Sequence, residues 1–258
     1  MIKKHRLKMV AAVIYVVLAV TQTISAMTAA QIMEKVENTQ KHDSSALDIS
    51  LELIGENGEV RTRRIQTLNR SSEQNNESIT IFLSPASVRQ TRFLSIEKEN
   101  YKEQWIYLPA LKQSRKIGSA ERGASFMGSD FSYEDMDSTT FDSDEAAHTV
   151  IGETGEIYII ESVPYESDAV YGRTITYVDK ESFLPSKVQL FDEKGTTMIK
   201  ELIILEKDLI DGSWVATKME MRTISTGHRS VITIVQAKYD IPIPSSYFSL
   251  QFLKTGRI

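Results

Sequence analysis

The residues able to do chemistry are few and scattered. His5, His42, His148 and His228 are the four histidines, and no two lie close in sequence. A zinc site draws its ligands from short, characteristic spacings, and none is present. The chain has no cysteine, which excludes disulfides and thiolate metal sites. Asp130, Glu134, Asp135, Asp137, Asp142, Asp144 and Glu145 form an oxygen-rich stretch that could attract calcium. It lacks the central glycine and closing glutamate of an EF-hand loop and reads as a solvated acidic segment. Ser125, in Gly123-Ala124-Ser125-Phe126-Met127, is one glycine short of a nucleophile elbow. Ser95-Ile96-Glu97-Lys98 has a serine-lysine spacing, but it falls in an alternating segment without a companion motif. A serine hydrolase also needs a base held by a carboxylate, and His148 is the only histidine near these serines in sequence. Phosphate loops and dinucleotide fingerprints are absent. Arg61-Thr62-Arg63-Arg64 reads as solvated surface, as do Lys112, Arg115 and Lys116 unless a partner docks there. The expectation is a protein that is not an enzyme and holds no metal or cofactor.

The chain begins with Lys3, Lys4, Arg6 and Lys8, continues with an unbroken apolar run from Met9 to Val20, and then turns polar up to Ser25-Ala26. That order is a secretory signal peptide, here residues 1–26 with cleavage near Ala26. The apolar run is too short to span a bilayer, which takes about 20 residues. A lipoprotein would need a cysteine after the cut, so the expected product is a soluble periplasmic domain, residues 27–258. Losing four basic residues moves the formal charge from −5 to −9. An acidic chain without a basic stripe is a poor ligand for nucleic acid or for anionic lipid by charge alone.

Thr28-Ala29-Ala30-Gln31 has the form of a capping box, and Ala29, Ile32, Met33 and Val36 recur at helical spacing, so a short helix is expected near 28–40. Period-two alternation follows. Leu47, Ile49, Leu51 and Leu53 alternate with Asp48, Ser50 and Glu52, and an Asn57-Gly58 turn leads to a second strand over 60–69. Further strand-like runs cover 78–83, 92–98, 104–108, 156–163, 173–179, 186–191, 198–205, 214–223 and 230–239. Ten or more short strands without long helices between them imply an antiparallel sheet that curls or closes. Residues 71–77 read as a polar loop. Residues 118–147 are a long excursion in which Met127 and Phe131, four apart, suit one face of a short helix. The apolar face of such a sheet is either an ordinary core or a ligand cavity under a lid, and periodicity does not separate the two.

The middle of the chain carries a more specific signal. Trp105-Ile106-Tyr107-Leu108-Pro109, then Arg115-Lys116-Ile117, then Phe126-Met127-Gly128-Ser129-Asp130-Phe131-Ser132-Tyr133-Glu134-Asp135 occur in order. This succession resembles the outer-membrane lipoprotein-sorting proteins, in their LolA-like branch. The resemblance implies a mainly β fold, an incomplete antiparallel β-barrel of about 10–12 strands with short helices covering its mouth, as in LolA and LolB. It implies that residues 125–135 form a lid and that Phe126, Met127 and Phe131 face inward, with Trp105, Tyr107 and Tyr133 as further ligand or lid residues. Gly128 would allow a tight bend, and Arg115, Asp130, Glu134 and Asp135 would hold the segment in place. A permanent plug is the alternative for the aromatics, and a helix cap for the acids.

The same resemblance implies a monomeric carrier that takes acyl chains of lipoproteins or lipids into an apolar cavity and passes them toward the outer membrane. Its partners would be an inner-membrane transporter of the ABC or RND type and an outer-membrane acceptor. An accessory protein of an RND-type export pump, without a transport cavity, is the competing reading.

Overall fold

The computed structural model describes residues 26–72, 75–98, 101–136, 143–210 and 212–258. Residues 1–25 of the expected signal peptide lie outside them. So do Glu73 and Gln74 of the expected polar loop, Asp137 and Asp142 of the acidic stretch, and Asp211 of one expected turn.

Helix α1 spans Ala29–Gln40. Its capping box is formed: the Gln31 amide donates to Thr28 Oγ1 at 3.3 Å, and the Thr28 amide donates to Gln31 Oε1 at 2.9 Å. The predicted stripe of Ala29, Ile32, Met33 and Val36 is buried, packed on Ile160 and Val178. The strands are β1 (Ser44–Ile54), β2 (Val60–Ser72), β3 (Asn75–Ser84), β4 (Arg92–Lys98), β5 (Tyr101–Leu108), β6 (Gln113–Ile117), β7 (Ala146–Glu153), β8 (Ile157–Pro164), β9 (Arg173–Asp179), β10 (Pro185–Phe191), β11 (Met198–Ile210), β12 (Ser213–Thr223) and β13 (Arg229–Tyr239). A second helix, α2 (Leu250–Thr255), lies near the C-terminus.

The 13 strands form one sheet in the order β6-β5-β4-β3-β2-β1-β13-β12-β11-β10-β9-β8-β7. Every pairing is antiparallel, and β1 with β13 joins the two halves. The sheet is not closed: β6 and β7 are its two edges, and residues 118–145 connect one edge to the other. Alternation was silent for β7 because Ala146–Glu153, an edge strand, is exposed over much of both faces. For Ser71, Ser72 and Asn75–Glu77 the expected loop is corrected to strand: they continue β2 and β3. Ser71 pairs with Asn76 and Ser72 with Asn75. Cross-strand bonds of Ser71 Oγ to Asn76 Oδ1 and of Arg70 to Glu77 satisfy polar side chains that looked like loop chemistry.

One face of the sheet gathers Leu51, Ile65, Phe82, Phe93, Ile106 and Ile117 from β1–β6 together with Val188, Leu190, Met221 and Ile232 from β10–β13 in a single buried cluster. Strands that far apart in the sheet share a cluster only if the sheet curls, so this face is concave. The opposite face of β3–β5 carries a separate cluster in which Ile79 and Leu94 pack on Phe248, Phe252 and Leu253.

Candidate functional site

Residues 118–136 leave β6 and turn into the concave face. A short 3-10 turn, Ser119–Glu121, comes first. Ser125 and Ser132 then form an isolated antiparallel bridge, and the Phe126 amide donates to the Phe131 carbonyl at 2.7 Å. At the tip, Met127 has φ 54° and Gly128 has φ 78°. Two successive left-handed residues cannot continue a right-handed helix, so the helical face expected for Met127 and Phe131 is corrected to a hairpin-like turn. Gly128 takes the conformation that glycine adopts without strain.

The turn delivers its aromatics into the core. Phe126 is fully buried, Phe131 and Tyr133 nearly so, and Met127 packs at their edge. The Phe126 ring lies 5.2 Å from Phe93, 5.7 Å from Phe82 and 5.5 Å from Tyr133, in tilted and edge-on geometries. Burial pushes the Tyr133 hydroxyl above its usual range.

Trp105 and Tyr107 lie elsewhere. Gln104 and Ile106 of β5 face the concave side, so alternation turns Trp105 and Tyr107 to the convex face, where they pack with the C-terminal segment. Arg92 stacks over Tyr107 at 4.7 Å, and Trp105 Nε1 donates to Glu103 at 3.1 Å.

The acids of the segment are each tethered. Asp130 accepts from Thr223 Oγ1 and Ser230 Oγ, both at 2.6 Å, and its amide donates to Ser230 Oγ. Glu134 accepts from Lys102 at 2.9 Å, with Arg122 at 3.8 Å. Asp135 accepts from the Ser132 amide at 2.7 Å and from the Tyr171 hydroxyl at 2.9 Å, and it pairs with Lys200 at 3.4 Å. Burial, then the Asp135 charge, drives the Tyr171 hydroxyl far above the normal tyrosine range. Arg63 donates to the Met127 carbonyl. Burial, with Arg61 nearby, lowers the Arg63 guanidinium below its ordinary value. Arg115 bonds Glu121 through both carboxylate oxygens, so it braces the 3-10 turn and not the three acids. Lys102, Arg122, Tyr171, Lys200, Thr223 and Ser230 were not foreseen. They reach the segment from other strands and loops, and nothing in their local sequence marks them.

The nucleophile candidates are engaged in structure. Ser125 Oγ donates to the Ser129 carbonyl at 2.6 Å. His148 is held between Ser162 Oγ at 2.8 Å and the Ser143 carbonyl at 2.9 Å. Ser95 and Lys98 lie on opposite faces of β4. Among the described residues, no three His, Asp or Glu side chains converge as metal ligands would.

A family model described only as "Uncharacterized protein" matches residues 74–255, more than half of the chain. No curated protein matches the chain. Among solved structures, a DUF1329 family protein from Desulfovibrio piger shares 27% identity, with a TM-score of 0.82 over 87% of this chain and 97% of that one. An outer membrane lipoprotein-sorting protein domain from Vibrio parahaemolyticus shares 24% identity, with a TM-score of 0.80 over 88% of this chain and 98% of that one. A LolA superfamily protein from Nitrosomonas europaea shares 20% identity, with a TM-score of 0.73 over 88% of this chain and 100% of that one. The last two share the fold.

Proposed function

We propose, for a chain that belongs to the family matched over residues 74–255 and has the fold of the LolA superfamily, that it is a periplasmic carrier for the acyl chains of lipoproteins or lipids. The observation that carries this reading is the polar tethering of an aromatic segment over an apolar concave face. Phe126, Phe131 and Tyr133 occupy the ground that acyl chains would take, and Asp130, Glu134 and Asp135 hold them there.

The magnitudes favour an exchange that runs in both directions. Burying each aromatic contributes about 1.5–3 kcal/mol, so uncovering three costs roughly 5–9 kcal/mol. An acyl chain of about 12 methylenes recovers roughly 10 kcal/mol at about 0.8 kcal/mol each. Net binding is then moderate, and a slightly better site on an acceptor draws the cargo out. Each step is a transfer between apolar surroundings, with no bond made or broken. The donor would be an inner-membrane transporter of the ABC or RND type, and the carrier would act as a monomer.

The test is native mass spectrometry with lipid extraction on the chain produced with its own N-terminal segment in a bacterial periplasm. Bound acylated peptide or lipid is expected, with occupancy changed by Phe131→Asp. A clean mass, with no uptake of a fluorescent fatty acid, would overturn the carrier reading. It would leave the accessory protein of an export pump, its concave face permanently filled by its own aromatics.

A further inference from the structure

The concave face of β1–β5 is not uniformly apolar. One register row crosses all five strands as Ser45–Asn69–Ser78–Ser95–Gln104. Ser45, Ser78, Ser95 and Gln104 are all buried, and Asn69 is half-buried. The adjoining row, two residues along each strand, contains Phe93 and Ile106, and Phe93 touches Phe126 and Tyr133. The polar row therefore lies about 7 Å along the strands from the row that carries Phe93.

Some of its hydrogen-bonding groups are used. Asn69 Nδ2 donates to Ser45 Oγ at 2.9 Å, and Gln104 Nε2 donates to the Tyr133 carbonyl at 3.1 Å. The Ser78 hydroxyl and the Gln104 side-chain carbonyl have no partner among the described residues, although both side chains are 2% exposed. Buried polar groups are ordinarily paired, and an orphaned one is costly to keep. Both side chains lie on the concave face, next to the Phe93–Ile106 row that packs on the 123–136 segment.

We propose that this row is a subsite for the head of an amphipathic cargo, a neutral head bearing an O–H or N–H donor. This rests on the carrier reading and specifies its ligand. Gln104 Oε1 can only accept, so it calls for a donor. Ser78 Oγ can do either. The row contains no charged side chain, and the cation next to it, Lys102, is already paired with Glu97 and Glu134. Among the described residues, a carboxylate or phosphate head finds no free counter-charge in this row. An acylglycerol hydroxyl and an acyl amide share the required chemistry.

The experiment loads the full chain with monooleoylglycerol, oleamide, methyl oleate or oleate and compares affinities by native mass spectrometry. Monooleoylglycerol or oleamide should bind about tenfold tighter than methyl oleate, the weight of one good hydrogen bond, and the tighter of the two identifies the head. Ser78→Ala removes only an unpartnered hydroxyl and should abolish most of this preference while changing methyl oleate binding much less. Gln104→Leu should do the same, although it also releases Tyr133. Equal binding of all four, or tightest binding of oleate, would overturn the subsite and leave the carrier intact. An equal loss for every probe in Ser78→Ala would overturn it too. Binding of none would overturn the carrier reading and the subsite with it.

Discussion

Two aromatic segments cover the two faces of the sheet, and they are held in opposite ways. On the convex side, Phe248, Phe252 and Leu253 pack on Ile79 and Leu94. Helix α2 is closed at both ends: Ser249 Oγ accepts from the Phe252 amide at 3.1 Å, and Gly256, at φ 66°, ends it with its amide on the Phe252 carbonyl. The buried Arg92 donates to the Leu253 and Lys254 carbonyls at 2.7 and 3.1 Å. On the concave side, the 123–136 segment has no regular structure beyond one bridge; Asp130, Glu134 and Asp135 carry most of its side-chain tethers, with Arg63 and Gln104 donating to the Met127 and Tyr133 carbonyls. Water can replace a partly exposed tether such as Lys102–Glu134 at little cost, whereas it cannot replace an apolar contact. On the carrier reading proposed above, the convex cover is a fixture and the concave cover is the part that opens.

The comparison breaks first on side-chain truncation. Phe252→Ala is expected to cost about 3–5 kcal/mol of global stability. Phe126→Ala, at a site at least as buried, should cost less on the carrier reading, because the loss is then capped at the free energy of closing the 123–136 segment. Thermal or denaturant unfolding measures both, and equal losses would make the lid a permanent plug. Lys200→Met leaves Asp135 buried without its cation, with an expected cost of about 3 kcal/mol confined to the lid. Hydrogen exchange should rise at 123–136 while α2 stays protected. Thr223→Val removes one of two hydroxyl donors to Asp130 and should cost about 1.5 kcal/mol by the same readout.

The smallest effect at neutral pH is that of Tyr171, whose hydroxyl titrates higher in the folded chain than its ordinary value of 10.0. Its contribution is fully present below the unfolded value, where both states are protonated. It is lost as pH rises through that value toward the folded one, because only the unfolded state then releases its proton. Alkaline loosening of the lid is expected, and Tyr171→Phe should show less of it. An unchanged alkaline profile in that variant would assign the loosening to other groups.

Local rules are legible where short-range chemistry decides. The capping box at Thr28, the helix stripe and the alternating strands all follow from near neighbours in sequence. The 123–136 segment was legible only through its resemblance to a family motif, and its path was not: helical spacing of Met127 and Phe131 lost to two left-handed residues at the tip. Trp105 and Tyr107 mark a further limit. Alternation places them opposite Gln104 and Ile106, but when both faces of a sheet are covered, it cannot say which face is concave.

The sequence by itself determined the class of the protein: a cysteine-free, acidic, strand-rich chain with one capped helix and an aromatic, acidic segment between two strand series. Tertiary structure decided that β1 pairs with β13, that the sheet curls without closing, and that 118–145 joins its two edges. It also chose the tethers, bringing Thr223, Ser230 and Lys200 to Asp130 and Asp135 from far along the chain. Such contacts depend on where the whole sheet carries each strand, and no local pattern of residue types encodes that.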